Sequence, residues 1–350
     1  MRLNNLLQFV QKYFFIIMAF IAIILTALVF LLSSTGSSTK NRLTSYANNG
    51  AVNINYPILI GSEEIYYFDS IKTNFYKLNL GNSTIQTLTS NNFISVKSVV
   101  WAKNGQQVLI KVLNHQDPFQ GVLSPVSNHA LPENTEVWWR YDFVAKKAYQ
   151  LPTTFNNIVF APDNKSIYYY NNLNGLYKAD LMGKESELVY ATKGYTKPLR
   201  WSTDGTKLLL EHWADDKPNI SVYSLSEKTI QQTIKNAISA SFSEDGQSIL
   251  YQQFVDGDPA KLYIFNSADN RSQQLDFETS TEKVIWYNNK QLVVVVPAEK
   301  ETYHVFDLKS AENKMFYSTD RTFNALDLQL SNDKKYLFFT SDEVLYRLKI

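Results

Sequence analysis

The chain has 350 residues, a formal net charge of +1 and no cysteine. The balanced charge predicts no strong bulk attraction to nucleic acid, and the lack of cysteine excludes a disulfide scaffold, a thiolate metal site and a cysteine nucleophile. Aromatic residues make up 14% of the chain, with 22 Tyr and 21 Phe, and such residues favour half-buried β-strands.

Residues 13–32 form an uncharged apolar segment of 20 residues, YFFIIMAFIAIILTALVFLL. A helix of this length spans about 30 Å, which matches the hydrocarbon core of a bilayer. Cleaved signal peptides usually have a shorter apolar region of roughly 7–15 residues. We therefore expect a transmembrane signal anchor, and the SSTGSS sequence after it keeps a cleavable leader as the alternative.

Three further segments surround the predicted anchor. They are a short cytoplasmic tail of residues 1–12, a flexible tether of residues 33–50 and a large domain of residues 51–350. Arg2 and Lys12 flank one side of the anchor, and Lys40 and Arg42 flank the other. The positive-inside rule separates the two orientations only weakly, and we favour the tail inside and the domain on the extracytoplasmic side.

A hairpin-like motif recurs along the large domain. Each copy has a hydrophobic anchor residue, an acidic or amide residue three positions later and, seven positions later, the start of an apolar run. The anchors are Ile60 in a weaker first copy, then Trp101, Phe160, Trp201, Phe242, Trp286 and Leu330. Asp-Gly, Asn-Gly and Asp-Asn pairs in these turns tolerate the backbone angles of a tight turn, so each copy predicts a β-hairpin.

A third strand follows most hairpins, as in FYKLNL at 75 and LYKADL at 176, and a fourth often comes after it. The anchors are spaced by 41, 59, 41, 41, 44 and 44 residues, and four strands about every 40–45 residues are typical of a β-propeller blade. Seven anchors predict an all-β, seven-bladed β-propeller of four-stranded antiparallel blades. The chain ends in a third strand, so residues 41–54 are predicted to supply the missing outer strand of blade seven and remove a free sheet edge.

The repeats also resemble a known family. WSTDG at 201, FSEDG at 242 and LYKADLMGKESELVYAT at 176–192 are similar to the repeats of TolB-type β-propellers, over roughly residues 55–350. The proline of that repeat is present only as Pro162. Similar propellers serve as extracytoplasmic protein-binding modules and as lids on serine peptidases, so the resemblance implies the fold without choosing a function.

No motif for catalysis or metal binding stands out. The Gly-x-Ser-x-Gly motif of a serine peptidase is missing from the sequence. The four histidines lack metal-site spacing, although His115 and His129 share one loop, and His304 is interpreted as a hydrogen-bonded histidine of a sheet. Asp256-Gly257-Asp258 and Asp215-Asp216 resemble fragments of calcium loops without the closing Glu, so turn chemistry is the preferred interpretation. We predict no metal and no cofactor.

Propeller hydrolases use carboxylates around the central channel. The predicted inner strands, such as KSVVW at 97, NIVFA at 157 and SASFS at 239, carry few acids. Lys97, Arg200 and Lys283 lie on or near such strands instead. No carboxylate pair is recognisable from sequence, and a hydrolase acting on a sugar or a peptide in the central pocket stays the alternative function.

Blade two carries an insertion, residues 114–136, between its second and third strands. Long loops in compact domains are often functional, and this one contains apolar Phe119. Trp138 and Trp139 follow at once, and neighbouring strand residues point to opposite faces. We expect one of them to be an exposed aromatic at a binding surface, because aromatic residues dominate interface hot spots; a passive insertion is the alternative.

The predicted turns between second and third strands all emerge on one face of the propeller, and they are acidic. Thirteen acids stand there against Lys72, Lys217 and Lys300, and they are Asp69, Asp117, Glu133, Glu136, Glu211, Asp215, Asp216, Asp256, Asp258, Glu299, Glu301, Asp342 and Glu343. Trp213 lies beside Asp215 and Asp216. We expect this rim to meet a basic partner, although exposed turns also favour Asp and Glu for their own geometry.

Together these features predict a single-pass membrane protein whose propeller binds another envelope or surface protein, as a scaffold or sensor. The predicted binding residues are Phe119, Trp138, Trp139, Trp213, Asp215, Asp216, Asp256 and Asp258. A tethered structural propeller within a larger envelope complex is a third interpretation.

Overall fold

The computed structural model describes residues 43–47, 50, 53–113, 135–171, 175–192, 194–255, 261–320 and 322–350. Within these residues the chain forms 28 β-strands, which pair into seven four-stranded sheets. Sequential strands pair antiparallel, and the inner strands of successive sheets contact one another around a ring. The seven-bladed propeller of four-stranded antiparallel blades predicted from the repeat is confirmed.

The strands follow the predicted order, and each blade runs from an inner to an outer strand. Blades one to three contain β2 (Ile54–Ile60), β3 (Glu64–Asp69), β4 (Asn74–Asn79) and β5 (Ile85–Thr87); β6 (Val96–Trp101), β7 (Gln107–Leu113), β8 (Glu136–Asp142) and β9 (Lys147–Gln150); and β10 (Phe155–Phe160), β11 (Ser166–Asn171), β12 (Gly175–Asp180) and β13 (Glu187–Ala191). Blades four and five contain β14 (Thr196–Trp201), β15 (Lys207–Ala214), β16 (Lys217–Ser224) and β17 (Thr229–Lys235); and β18 (Ala237–Phe242), β19 (Ser248–Gln253), β20 (Leu262–Asn266) and β21 (Arg271–Gln274). Blades six and seven contain β22 (Val284–Asn288), β23 (Gln291–Val296), β24 (Thr302–Asp307) and β25 (Asn313–Ser318); and β26 (Leu326–Leu330), β27 (Tyr336–Ser341), β28 (Val344–Lys349) and β1 (Leu43–Ser45). One turn of 3-10 helix, Thr281–Lys283, precedes β22.

The antiparallel order gives the ring two faces. We call the face with the turns between first and second strands the hairpin face. The opposite face carries the turns between second and third strands and the connections from blade to blade, and we call it the link face. The hydrophobic core lies between neighbouring blades, because the second and third strands of a blade are covered on both sides.

The repeated motif is a hairpin closed by a serine. Ser202 Oγ donates to Asp204 Oδ1 over 2.6 Å and accepts from the backbone N–H of Lys207 over 3.0 Å. Ser243 and Ser331 make the same pair of bonds in blades five and seven. In these three blades the aspartate three residues after the anchor is therefore held in place by the turn that it helps to form.

Anchor tryptophans join each of three blades to the blade before it. The indole N–H donates to a carbonyl of the preceding inner strand, and these bonds are Trp101 to Tyr56 O (2.7 Å), Trp201 to Phe160 O (2.8 Å) and Trp286 to Ser241 O (3.4 Å). Because an indole can only donate, each tryptophan needs such an acceptor when it is buried.

The ring closes by combining both ends of the described chain in blade seven. β1 pairs with β28 as its outermost strand, and the backbone N–H of Tyr46 donates to Leu345 O over 3.1 Å. Across the seam, Gln329 Nε2 donates to Pro57 O over 3.0 Å. β1 lies in the 41–54 window predicted to supply this strand, so that prediction is confirmed. It also shows that the propeller begins inside the segment interpreted as a tether.

Among the residues described, no helix is both long and apolar enough to span a bilayer. The anchor predicted at residues 13–32 lies outside them and stays a prediction.

Candidate functional site

The hairpin between β15 and β16 brings three predicted binding residues together on the link face. Ala214 pairs with Lys217, which leaves Asp215 and Asp216 as a two-residue turn. Their φ angles are +52° and +59°, the left-handed values of a type I′ turn. Gly, Asn and Asp are the residues that such turns favour, so Asp215 and Asp216 suit this turn. Both carboxylates are exposed to solvent.

Blade seven repeats this arrangement. Ser341 pairs with Val344, and Asp342 and Glu343 form the turn with φ angles of +51° and +58°. Both side chains are again exposed. Acidic side chains therefore occupy the exposed central positions of this turn in two blades.

Trp213 forms the centre of an exposed apolar surface beside the blade-four turn. Its side chain is 45% exposed, and its ring packs edge-on to Phe254 with centroids 6.2 Å apart. Val255 and Tyr195 are 39% and 44% exposed, and the backbone N–H of Trp213 donates to Tyr195 O over 3.3 Å. We call Tyr195, Trp213, Phe254 and Val255 the aromatic patch.

Ring contacts and hydrogen bonds hold two residues of the aromatic patch, Tyr195 and Phe254, in place. The Tyr195 ring packs edge-on to Tyr170 with centroids 5.5 Å apart, and its hydroxyl accepts from Asn157 Nδ2 over 2.8 Å. The backbone N–H of Phe254 donates to Asn236 O over 2.7 Å. An aromatic side chain with few rotatable bonds on a fixed backbone loses little entropy on binding, which favours its use as an interface anchor.

A cavity of about 350 Å³ lies beside the aromatic patch, between the outer strand of blade three and blade four. His212 Nε2 lies 2.8 Å from Ser221 Oγ, which lies 2.8 Å from Thr233 Oγ1. Burial lowers the pKa of the His212 imidazole, so the ring is neutral at neutral pH. In the part of the chain that is described, no carboxylate bonds to this imidazole, so the three side chains form a polar ladder across the sheet rather than an activated nucleophile.

The expectation that Trp138 or Trp139 is exposed is wrong. Their side chains are 5% and 7% exposed. Alternation along β8 turns Trp139 toward blade one and Trp138 toward blade three, as predicted, but a neighbouring blade covers each side. Strand alternation determines which face of the sheet a side chain lies on. The side chain is exposed only if no neighbouring blade covers that face.

The acidic rim is also smaller than expected. Asp69 is fully buried, where its Oδ1 accepts from the N–H groups of Ile71 and Lys72. Glu301 is 1% exposed and pairs with Lys283. Glu136 forms an ion pair with Lys111. Asp69 and Glu301 therefore serve the fold. Among the described acids of the rim, the exposed ones are Glu136, Asp215, Asp216, Glu299, Asp342 and Glu343.

Several predictions fall outside the described residues. They concern Phe119, Asp256 and Asp258, most of the 114–136 insertion, and the loop with His115 and His129. His304 is described, and it is the hydrogen-bonded sheet histidine that was predicted, with Nδ1 2.9 Å from Asn313 Oδ1 and Nε2 2.8 Å from Thr302 Oγ1. The described residues contain no group of three or more His, Cys, Asp or Glu able to hold a metal ion.

The axial channel contains residues that sequence reasoning missed. Asp327 in β26 and Glu282 in the 3-10 turn line one cavity with Arg200 of β14. Asp327 gave no clear signal, because the Leu326–Leu330 segment alternates between apolar and polar residues as an ordinary strand does. The sequence does not show that Asp327 and Glu282 are neighbours, because they belong to different blades that only ring closure brings together.

Comparison with known proteins supports the fold alone. No family model matches the chain, and no curated protein matches it either. Among solved structures, a chain of a mitotic checkpoint complex has a TM-score of 0.59 at 12% identity, covering 90% of this chain and 96% of that one. An oligogalacturonate lyase in complex with manganese has a TM-score of 0.59 at 14% identity, covering 90% and 94%. TolB from Acinetobacter baumannii has a TM-score of 0.45 at 13% identity, covering 74% of this chain and 64% of that one. One of these belongs to a protein assembly and another is a lyase, so shared architecture does not decide function.

Proposed function

We propose that this chain is a membrane-tethered interaction module whose propeller binds a segment of another envelope protein at the aromatic patch. The observation that carries the proposal is the placement of exposed Trp213 beside the exposed acidic turn of Asp215 and Asp216. The bound segment has an apolar side chain for the patch and an adjacent lysine or arginine for the turn. This chemistry follows from charge complementarity, because neither aspartate forms an ion pair within the described residues.

The membrane part of the proposal rests on the apolar segment of residues 13–32. A tether between this anchor and β1 would keep the propeller close to the membrane surface, where envelope partners are concentrated. The proposed orientation places the propeller on the extracytoplasmic side.

Binding is tested with the purified full-length protein in detergent and a panel of labelled peptides. The panel contains an Arg-Trp-Lys-Leu core, the same core with glutamate in place of the basic residues, and the same core with glycine in place of the apolar ones. We expect only the first to bind, with an affinity that falls as salt rises, because exposed charges are screened. Equal binding of the acidic peptide would overturn the charge assignment.

Two substitutions locate the interface. Trp213→Ala is expected to weaken binding by roughly 30-fold, the loss typical of an aromatic hot spot at about 2 kcal/mol. Val144→Ala is the matched control, because Val144 is 73% exposed but lies in the turn after β8 on the hairpin face. If both variants bind like the parent protein, the aromatic patch is not the interface.

The orientation has its own test. The chain has no cysteine, so Val144→Cys provides a single thiol at an exposed site. A membrane-impermeant maleimide is expected to label this variant in intact cells, or after the outer membrane alone is permeabilised. Labelling only after the inner membrane is lysed would place the propeller in the cytoplasm and refute the extracytoplasmic proposal.

A further inference from the structure

The axial channel contains two connected cavities. One of about 720 Å³ reaches the hairpin face, where Trp101, Lys103 and Thr203 line it. The other, of about 360 Å³, lies among the inner strands of blades four to seven, and its lining includes Glu282 from the connection into blade six. Both are lined by Arg200, Asp327 and Leu328. The channel is therefore large enough for a small molecule and narrows onto charged side chains.

Bulges in the inner strands direct polar side chains at this channel. Tyr56, Ser239 and Asp327 all line it, and they have φ angles of +51°, +47° and +53°. In each strand the pairing register shifts at this point. A bulge turns a side chain away from the regular pleat, and left-handed non-glycine residues concentrate at functional positions.

Each of these side chains is also held in place. The Tyr56 hydroxyl donates to Lys97 O over 2.9 Å, which links blade one to blade two. Ser239 Oγ accepts from Thr281 Oγ1 over 2.7 Å, and Asp327 Oδ2 accepts from Thr340 Oγ1 over 2.8 Å. Fixed orientation is what distinguishes a preorganised binding site from a solvent-filled hole.

The charges in the channel are separated rather than paired. Arg200 forms no ion pair within the described residues, and neither do Asp327 and Glu282. More than a third of the Arg200 surface is reached by water, yet the surrounding blades desolvate the guanidinium and lower its pKa. Arg200 is both reached by water and desolvated because its side chain lies in an open channel that is enclosed by protein. Arginine keeps its charge in proteins.

The acidic side of the channel consists of Asp327 and Glu282, and the charge of Glu282 disfavours the charge of Asp327. Burial raises the pKa of Asp327, the bond from Thr340 opposes this, and the nearby charge of Glu282 raises it further. A bound cation would relieve this repulsion. The wall around the carboxylates is predominantly polar, and Leu328, Val284 and Ile285 add apolar surface to it. A polar lining with some apolar surface suits a small charged ligand.

We propose that the axial channel binds a small zwitterion, an amino acid or short peptide, whose carboxylate lies on Arg200 and whose ammonium group lies between Asp327 and Glu282. Arginine binds a carboxylate through two parallel N–H donors, and an acid pair supplies the acceptors that an ammonium needs. The channel lies among the inner strands and shares no lining residue with the aromatic patch, so the two proposals concern separate sites.

The test uses the full-length protein in detergent, calorimetry and four probes. The probes are the dipeptide Gly-Leu, N-acetyl-Gly-Leu, Gly-Leu amide and N-acetyl-Gly-Leu amide. We expect Gly-Leu to bind and each single block to weaken binding at least tenfold. If no probe binds at millimolar concentration, or the blocked peptides bind as well as Gly-Leu, the proposal is overturned. Binding of the amide alone in preference to Gly-Leu would show a cation site and would also overturn it.

Substitutions test which side chains bind the carboxylate end and the amine end of the ligand. Arg200→Gln is expected to remove the preference for a free carboxylate, and Glu282→Gln the preference for a free amine, each weakening Gly-Leu about tenfold. Asp327→Asn is a second test of the amine end. If loss of the Thr340 contact impairs the folding of this variant, Glu282→Gln alone tests that end. Trp213→Ala should leave Gly-Leu binding unchanged, and so it separates failure at the channel from failure at the aromatic patch. Unchanged discrimination in Arg200→Gln would refute the assignment.

Discussion

Lys283 Nζ lies 2.8 Å from Glu301 Oε1, and both side chains are buried where blades six and seven meet. The ammonium also donates to Asn324 Oδ1 and to Ala325 O, each over 3.0 Å. The second carboxylate oxygen accepts from the Tyr303 hydroxyl over 3.2 Å. All three ammonium donors are therefore used. The ion pair lies within blade six, and the bonds to Asn324 and Ala325 join it to the entrance of blade seven.

Replacing Lys283 with methionine should destabilise the protein strongly. The variant keeps the volume of the side chain but leaves the Glu301 carboxylate buried without its cation. Breaking a buried pair in this way costs about 3–5 kcal/mol. Urea unfolding of the purified full-length protein, followed by tryptophan fluorescence, measures the change.

The matched control is Lys77→Met. Lys77 Nζ lies at the same distance of 2.8 Å from Glu64 Oε1, but both side chains are about 30% exposed. Exposed pairs contribute roughly 0–1 kcal/mol, so this variant should lose far less stability. Equal losses in the two variants would show that burial does not decide the strength of the Lys283–Glu301 pair.

The indole N–H of Trp201 is expected to contribute to the stability of the protein in addition to the packing of its ring. Trp201→Phe removes the bond to Phe160 O and leaves a carbonyl at the blade interface without this donor, which costs about 1–3 kcal/mol. Trp213→Phe should change stability by less than about 0.5 kcal/mol, because that residue is exposed and surface substitutions are usually tolerated. Chemical unfolding of both variants provides the comparison, and a larger loss from Trp213→Phe would contradict it.

The fold could be predicted because its signal is local and repeated. Each hairpin depends on a turn of a few residues, such as Ser202 to Lys207, whose hydrogen bonds need no partner from another blade. Seven copies at similar spacing then determine the architecture. The position of β1 followed from the same logic, since a ring that ends on a third strand needs one more strand.

The site was predicted only in part, because it depends on contacts between blades. Trp213, Asp215 and Asp216 share one hairpin, so they were found together. Tyr195 and Phe254, which complete the aromatic patch, come from neighbouring connections with no shared sequence signal. The burial of Trp138 was mispredicted for the same reason, because the strand pattern does not show that blade three covers it.

Two glycines with left-handed backbones should respond differently to alanine. Gly205 has a φ of +72°, and a Cβ there would lie 2.8 Å from the Pro162 ring. Gly61 has a φ of +65°, and its Cβ would have no heavy atom within 4 Å. Gly61→Ala should cost about 1–2 kcal/mol from backbone strain alone.

Gly205→Ala should lose more stability than Gly61→Ala, because overpacking against Pro162 adds about 1–3 kcal/mol to the same backbone strain. Thermal unfolding of the two variants, scanned side by side, gives the difference. A Gly205→Ala variant as stable as Gly61→Ala would mean that the Pro162 hairpin of blade three moves aside without loss, and that neighbouring hairpins are less tightly packed than their contacts indicate.

The aspartates of the repeated motif predict how stability depends on acid. Asp333 accepts from Ser331 Oγ over 2.7 Å and from the Lys335 N–H over 3.2 Å, and these bonds lower its pKa to about 2. The pKa of Asp204 is lowered in the same way by Ser202. A carboxyl whose pKa is lower in the folded state stabilises the protein above its unfolded pKa of about 3.9, and this contribution disappears as pH falls through the folded pKa.

Asp333→Asn should therefore differ from the parent protein in a pH-dependent way. Above about pH 5 the parent should be the more stable of the two by a constant amount, and between about pH 4 and pH 2 the difference should shrink toward zero. Urea unfolding across this range measures it. Ser331→Ala is the control, because loss of the hydroxyl raises the pKa of Asp333 toward its ordinary value and moves the shrinkage to higher pH. A difference that stays constant down to pH 2 would show that the charge of Asp333 does not contribute to the hairpin.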